Sequence, residues 1–114
     1  VIALSDQRYG RLAETLAAWA LRLRGYRVVG QNVRIGGREV DLVARRGSLL
    51  VVCEVKARRT NLFGAPADAV GPHKRRRLRE AAEMLMADDP TVERVRFDVI
   101  AVSGFGVRHL PEAF

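Results

Sequence analysis

Apolar residues recur at helical spacing near the start of the chain. Tyr9, Leu12, Ala13, Leu16, Ala20 and Leu23 fall on one stripe, with Arg8, Arg11, Thr15 and Arg22 on the opposite side. Ser5 or Asp6 can cap the start and Gly25 can supply a left-handed end, so the pattern predicts a helix from about Asp6 to Arg24. The period then changes. Tyr26 to Ile35 reads as extended, Gly36-Gly37 as a turn, and Arg38 to Arg45 and Ser48 to Lys56 as two strands joined around Arg46-Gly47. The run Leu49-Leu50-Val51-Val52 is apolar on both faces, as expected of a strand in the middle of a sheet. Asn61 to Gly71 reads as loop, and a second helix is expected from Pro72 or His73 to Ala87, with Leu78, Ala81, Ala82 and Leu85 inward. Val95 to Val102 and Gly106 to Leu110 complete the strands. This order predicts an α/β fold, a mixed sheet flanked by helices, with residues 1–114 forming a single domain.

Composition narrows the setting. No apolar run approaches the roughly 18 residues that span a bilayer, so no membrane is expected as a partner. Val1 to Tyr9 has no apolar stretch long enough for a signal peptide. The single cysteine, Cys53, excludes an internal disulfide and a cysteine-based zinc cluster, which makes a cytoplasmic location the default expectation. Charge adds more. Twenty Lys and Arg face thirteen Asp and Glu, for a net charge of +7, and the pI is near 10.9. So basic a chain attracts polyanions, nucleic acid first among them. Only Lys56 and Lys74 of those twenty cations are lysine, so a compositional bias toward arginine is the plain alternative.

The stretch that carries chemistry is Glu39-Val40-Asp41 followed by Glu54-Val55-Lys56. A hairpin loop centred on Arg46-Gly47 sets Asp41 opposite Val52 and Glu39 opposite Glu54. Glu39, Asp41, Glu54 and Lys56 then project from one face, with Asp41 and Glu54 diagonal neighbours. Three carboxylates on one face raise each other's pKa and call for a cation. A hard divalent ion with oxygen ligands, Mg²⁺ (or Mn²⁺), is the expected cofactor. Lys56 lies within reach of whatever that ion holds, where it can orient a water or neutralise charge on a phosphate. The alternative is a solvated polar face, since a Glu-x-Lys with an upstream Asp arises often by chance. A slip of one residue would also scatter the group over both faces.

From Tyr9-Gly10 to Glu112-Ala113-Phe114 the chain resembles the YraN family of small bacterial proteins. The matching residues are Gly10 and Glu14, Gly25-Tyr26, Asn32, Gly37, Glu39-Val40-Asp41-Leu42-Val43, Glu54-Val55-Lys56 with Arg58, Phe63-Gly64, Ala69-Val70, Lys74, and Arg96-Phe97-Asp98-Val99-Ile100. That family is similar to PD-(D/E)xK nucleases and to Holliday-junction resolvases. The resemblance implies a restriction-endonuclease-like domain and a Mg-dependent nuclease acting on DNA, branched DNA included. It makes Asp41 and Glu54 metal ligands, Glu14 the acidic residue that completes the set, and Lys56 the catalytic lysine. Resolvase-like relatives often form dimers, which makes a homodimer an open expectation. Val40 stands where a proline often precedes the aspartate, and Arg38 where a glycine usually precedes the glutamate. Neither departure removes a ligand.

The remaining candidates are weighed singly. Glu14 lies round the helix from the main stripe, among Gly10, Ala17 and Leu21, and is either a site residue or a solvated one. Lys74, Arg75, Arg76 and Arg77 crowd the start of the second helix, where cations oppose the helix dipole. That crowding points to nucleic-acid phosphates or to a solvated basic face, and phosphate contacts carry no base information. Cys53 reads as a buried small hydrophobe facing away from the site, and Trp19 as core or packing surface. His73 and His109 read as isolated, and Asp98 as a partner for an arginine. The alternative to the enzyme is a non-catalytic nucleic-acid-binding module of the same fold.

Overall fold

A computed structural model describes residues 6–58, 70–104 and 106–114. Helix α1 (Asp6–Leu23) precedes three strands, β1 (Arg27–Ile35), β2 (Arg38–Arg46) and β3 (Leu49–Ala57). Helix α2 (Pro72–Asp88), β4 (Arg94–Ser103) and β5 (Gly106–Leu110) follow. The loop expected over Asn61 to Gly71 lies mostly outside the described residues. The strands form one five-stranded sheet in chain order. Every pairing is antiparallel except that of β3 with β4, which run parallel on either side of α2. This is an open mixed α/β sheet, compatible with the restriction-endonuclease-like fold.

Local chemistry explains the breaks between elements. Gly36 and Gly37 both carry positive φ, as a two-residue hairpin turn joining Ile35 to Arg38 demands. At the end of α1, Tyr26 N–H donates to Leu21 O and Gly25 N–H to Arg22 O, with Gly25 left-handed. Those two bonds close the last carbonyls of the helix. Helix α2 starts at Pro72, whose missing N–H costs nothing in the first turn.

The core has two layers. Against α1 lie Leu42, Ala44, Val51, Cys53, Ile100 and Val102; against α2 lie Val43, Leu50, Val52 and Val99. Strand β3 is covered on both sides, which is why Leu49 to Cys53 are all apolar and buried. Leu78, Ala81 and Ala82 face inward from α2, as their spacing predicts. The apolar stripe expected on α1 faces inward only in part. Ala13, Ala17, Ala18 and Leu21 are the buried residues, while Leu12, Leu16, Trp19 and Leu23 remain 46, 41, 55 and 84% exposed. The helix carries two apolar faces, and the one built of small residues is pressed on the sheet.

A buried polar network pins the far strands to α1. Asp98 is fully buried and accepts hydrogen bonds from Arg96 Nε and Nη2 (2.8 Å each) and from Glu112 N–H (3.0 Å). It also accepts one from His109 Nε2 (2.6 Å). Arg24 donates to His109 Nδ1 at 2.9 Å, and Arg96 donates to the Tyr26 hydroxyl oxygen at 2.7 Å. Burial alone would raise the Asp98 pKa, but His109, Arg96 and the Glu112 amide hold it below the usual carboxylate value. His109, isolated in the sequence, is therefore part of the scaffold.

Candidate active site

The hairpin of β2 and β3 turns at Gly47-Ser48, so Arg46 pairs with Leu49 and Leu42 with Cys53. That register differs by two residues from the loop centred on Arg46-Gly47. Asp41 is therefore brought across from Glu54 instead of Val52. The Asp41 and Glu54 carboxyls meet on the α2 side, where Lys74 reaches Glu54, and Lys56 follows Glu54 by two residues on the same face of β3.

The ladder between β2 and β3 ends at Leu42 and Cys53, and the Asp41 side chain takes over. Its Oδ2 accepts the Val55 N–H at 2.8 Å, satisfying a donor that the backbone of β2 no longer reaches. The cause lies partly in the neighbouring strand. Asn32 sits between the pairs Gln31–Leu42 and Val33–Val40 with φ of 51°, a left-handed conformation that asparagine tolerates. The alternation of faces breaks at this point, since Leu42 packs toward α1 while Val40 and Val43 both pack toward α2.

Glu54 is 4% exposed and lies against Asp41. Lys74, in the first turn of α2, places Nζ 3.0 Å from its Oε1 and 2.9 Å from its Oε2. Burial raises the Glu54 pKa most, and the Asp41 charge and hydrogen bond raise it further. Lys74 pulls it back, and the result is about 7. Burial opposes the Lys74 charge in turn, yet Glu54, Asp41 and Glu39 hold its pKa above that of an ordinary lysine. Lys56 follows Glu54 by two residues on the same face and is half-buried. Among the described residues its ammonium has no hydrogen-bond or ion-pair partner.

The other candidates are more dispersed. Glu14 is half-buried and accepts a hydrogen bond from Asn32 Nδ2 at 3.0 Å, which holds it beside the strand next to Asp41. Among the described residues no three acidic, histidine or cysteine side chains lie close enough together to hold one metal ion. Glu39 is exposed and 3.9 Å from Arg34. Of the basic run, Lys74 turns to the acidic pair and Arg76 points into solvent. Arg75 Nε donates to Val70 O and Arg77 to Gly37 O, at 2.7 and 2.9 Å. A cleft of about 350 Å³ between β1, β2 and α2 is lined by Arg34, Glu39, His73, Lys74 and Arg77. Lys74, one of its lining residues, is the group that contacts Glu54. Sequence reasoning missed two contributors. Asn32 stood in the sequence only as one of the residues matching the family, and the Lys74–Glu54 pair spans the crossover between β3 and α2, which no local spacing reveals.

Two comparisons agree on kinship. The model of the Uncharacterised protein family UPF0102 matches residues 13–102. A UPF0102 protein of Anaeromyxobacter dehalogenans is 42% identical, over 95% of this chain and 84% of its own length. One from Parvibaculum lavamentivorans is 44% identical, over 97% of the chain and 84% of its own, and one from Christiangramia forsetii 37%, over 92% of each. The chain belongs to the UPF0102 family, the YraN family that its motifs resemble.

Proposed function

We propose that this member of the UPF0102 family is a metal-dependent nuclease of cytoplasmic DNA. The observation that carries the reading is the Glu54 carboxyl, buried against Asp41, with Lys56 two residues on and without a partner among the described residues. Two adjoining carboxylates, one with its pKa lifted to about 7, form a donor set short of positive charge. Hard oxygen ligands with excess negative charge suit Mg²⁺ or Mn²⁺. Asp41 and Glu54 would hold the ion, and Glu14 joins them on the strength of the resemblance alone. Such an ion supplies a polarised phosphoryl oxygen and a water of lowered pKa.

The chain's own groups do the rest. Lys56 offers an ammonium to the attacking water or to the phosphate charge that grows during displacement. Lys74 draws the Glu54 pKa back to about 7, so that the carboxyl gains and loses its proton around neutral pH. Arg34 and Arg77, which line the cleft, attract the phosphate backbone without reading bases, so sequence specificity is not expected.

A binding module of the same fold, without catalysis, is favoured by one observation. Lys74 already neutralises Glu54, and Asn32 already engages Glu14. Thermal unfolding with Mg²⁺ or Mn²⁺ separates the two readings. Asp41→Asn is the comparison to use, because it keeps an acceptor for the Val55 N–H. The nuclease reading expects the metal to raise the Tm of the wild type, to leave the variant unmoved, and to support cleavage of branched or linear DNA. DNA bound but left whole by a wild type that ignores metal would establish the module instead.

A further inference from the structure

Among the described residues, the exposed stripe of α1 has no partner. Leu12, Leu16, Trp19 and Leu23 are not displaced core residues, because Ala13, Ala17, Ala18 and Leu21 already fill the inner face. They succeed one another at intervals of four, three and four residues, the 3.5-residue repeat of a seam between two helices. Exposed apolar residues scattered singly would mean little. Here four of the seven large hydrophobic side chains exposed among the described residues stand in one row.

We propose that this row is the interface of a homodimer, α1 lying against α1 of a second copy. A heptad seam is complementary to itself, so a twofold axis suffices to cover it. The area fits. At their fractional exposures the four side chains present roughly 400 Å² of apolar surface, as much as the largest patch on an ordinary monomer. Doubled across a twofold axis this is roughly 800 Å², and a rim of Arg11, Thr15 and Arg22 brings it near the roughly 1,200 Å² where specific interfaces begin. Arg22 already covers the Trp19 ring, at 5.0 Å from the centroid, and extends the apolar surface with its stem. The seam lies on the opposite side of the sheet from α2 and the acidic pair. A dimer built on it leaves both clefts open, and it stands whether or not the cleft is catalytic.

Charge distinguishes this occupant from others. Arg11 and Arg22 of two copies repel, so salt should strengthen self-association through the seam. An acidic helix, an anionic membrane or a bridging nucleic acid would be held less tightly as salt rises.

The test is sedimentation equilibrium of nucleic-acid-free protein from low to high micromolar concentration, at low and high salt. The expected result is a mass climbing from 12.7 kDa toward twice that value, more readily in high salt. Trp19 is the only tryptophan, and its emission should move to the blue over the same concentrations. Leu16→Glu, at an exposed position, should stay monomeric with unshifted emission and an unchanged melt when dilute. Val107→Glu, exposed elsewhere, should dimerise like the wild type. A wild type that remains at 12.7 kDa throughout, a dimer that survives Leu16→Glu, or an association that weakens with salt would overturn the proposal.

Discussion

Lys74 contacts both carboxylate oxygens of Glu54, at 3.0 and 2.9 Å, and so ties the first turn of α2 to the central strand. The bond joins a cation that opposes its own helix dipole to a carboxyl that opposes its own burial. Each offsets the other's cost, and neither residue can be altered without exposing the other's strain.

Acid should therefore favour the metal-free protein at this group. Glu54 titrates near 7 in the folded chain against an ordinary 4.5, so the folded state holds a proton that the unfolded state releases. Stability in chelator falls as pH rises from about 4.5 to about 7, the slope following the excess of protons bound to the folded state. Glu54→Gln should abolish that fall, and Lys74→Met should move it to higher pH, since Lys74 is what draws the value down. Tm measured across this range reads both effects. A wild type and Glu54→Gln with parallel profiles would refute the assignment.

Lys56 should separate binding from chemistry. Lys56→Met removes an ammonium with no partner among the described residues, so the fold and the metal-induced rise in Tm should persist. Cleavage should fall by about 10²- to 10⁴-fold, the usual worth of a positioned proton-transfer or charge-stabilising group. Single-turnover rates beside metal titrations make the measurement, and equal loss of both properties would count against the role.

Asp98→Asn should be costly without touching the site. It leaves Arg96 and His109 facing a neutral amide in a fully buried position. Removing one member of such a cluster costs about 3 kcal/mol, and a fall in Tm of roughly 10 °C or more follows for a chain of this size. The depressed pKa of Asp98 places its pH effect elsewhere from that of Glu54. Its stabilisation is present above the ordinary carboxylate value and is lost as pH falls through the depressed one. Urea melts at pH 7, with metal titration of the variant as a control, decide the point.

Much of this molecule is readable from residue order, for identifiable reasons. The helices and strands follow from periodicity and from glycines at obligatory left-handed positions such as Gly25, Gly36 and Gly37. Asp41 and Glu54 meet despite the misplaced turn because the register, shifted by two residues, brings them across from each other. What spacing could not supply was which of two apolar faces α1 would bury. Leu12 and Leu16 outweigh Ala13 and Ala17 in any hydrophobic pattern, whereas closeness to a sheet rewards small side chains. Nor could it show Lys74 on Glu54 or His109 on Asp98, since those pairs form only once α2 has crossed the sheet and β5 has closed it.

The strand order sets a timetable for assembly. Strands β1 to β3 are sequential antiparallel neighbours whose pairing closes only short turns, while Leu49 must await Arg94, far down the chain, before the parallel ladder can start. Short closures are entropically cheaper and faster than long ones. On a nascent chain, the meander bearing Asp41 and Glu54 is then complete before the helix that delivers Lys74 has docked. For that interval the two carboxylates are solvated and mutually repelling, with Lys56 and counter-ions from the medium standing in for Lys74.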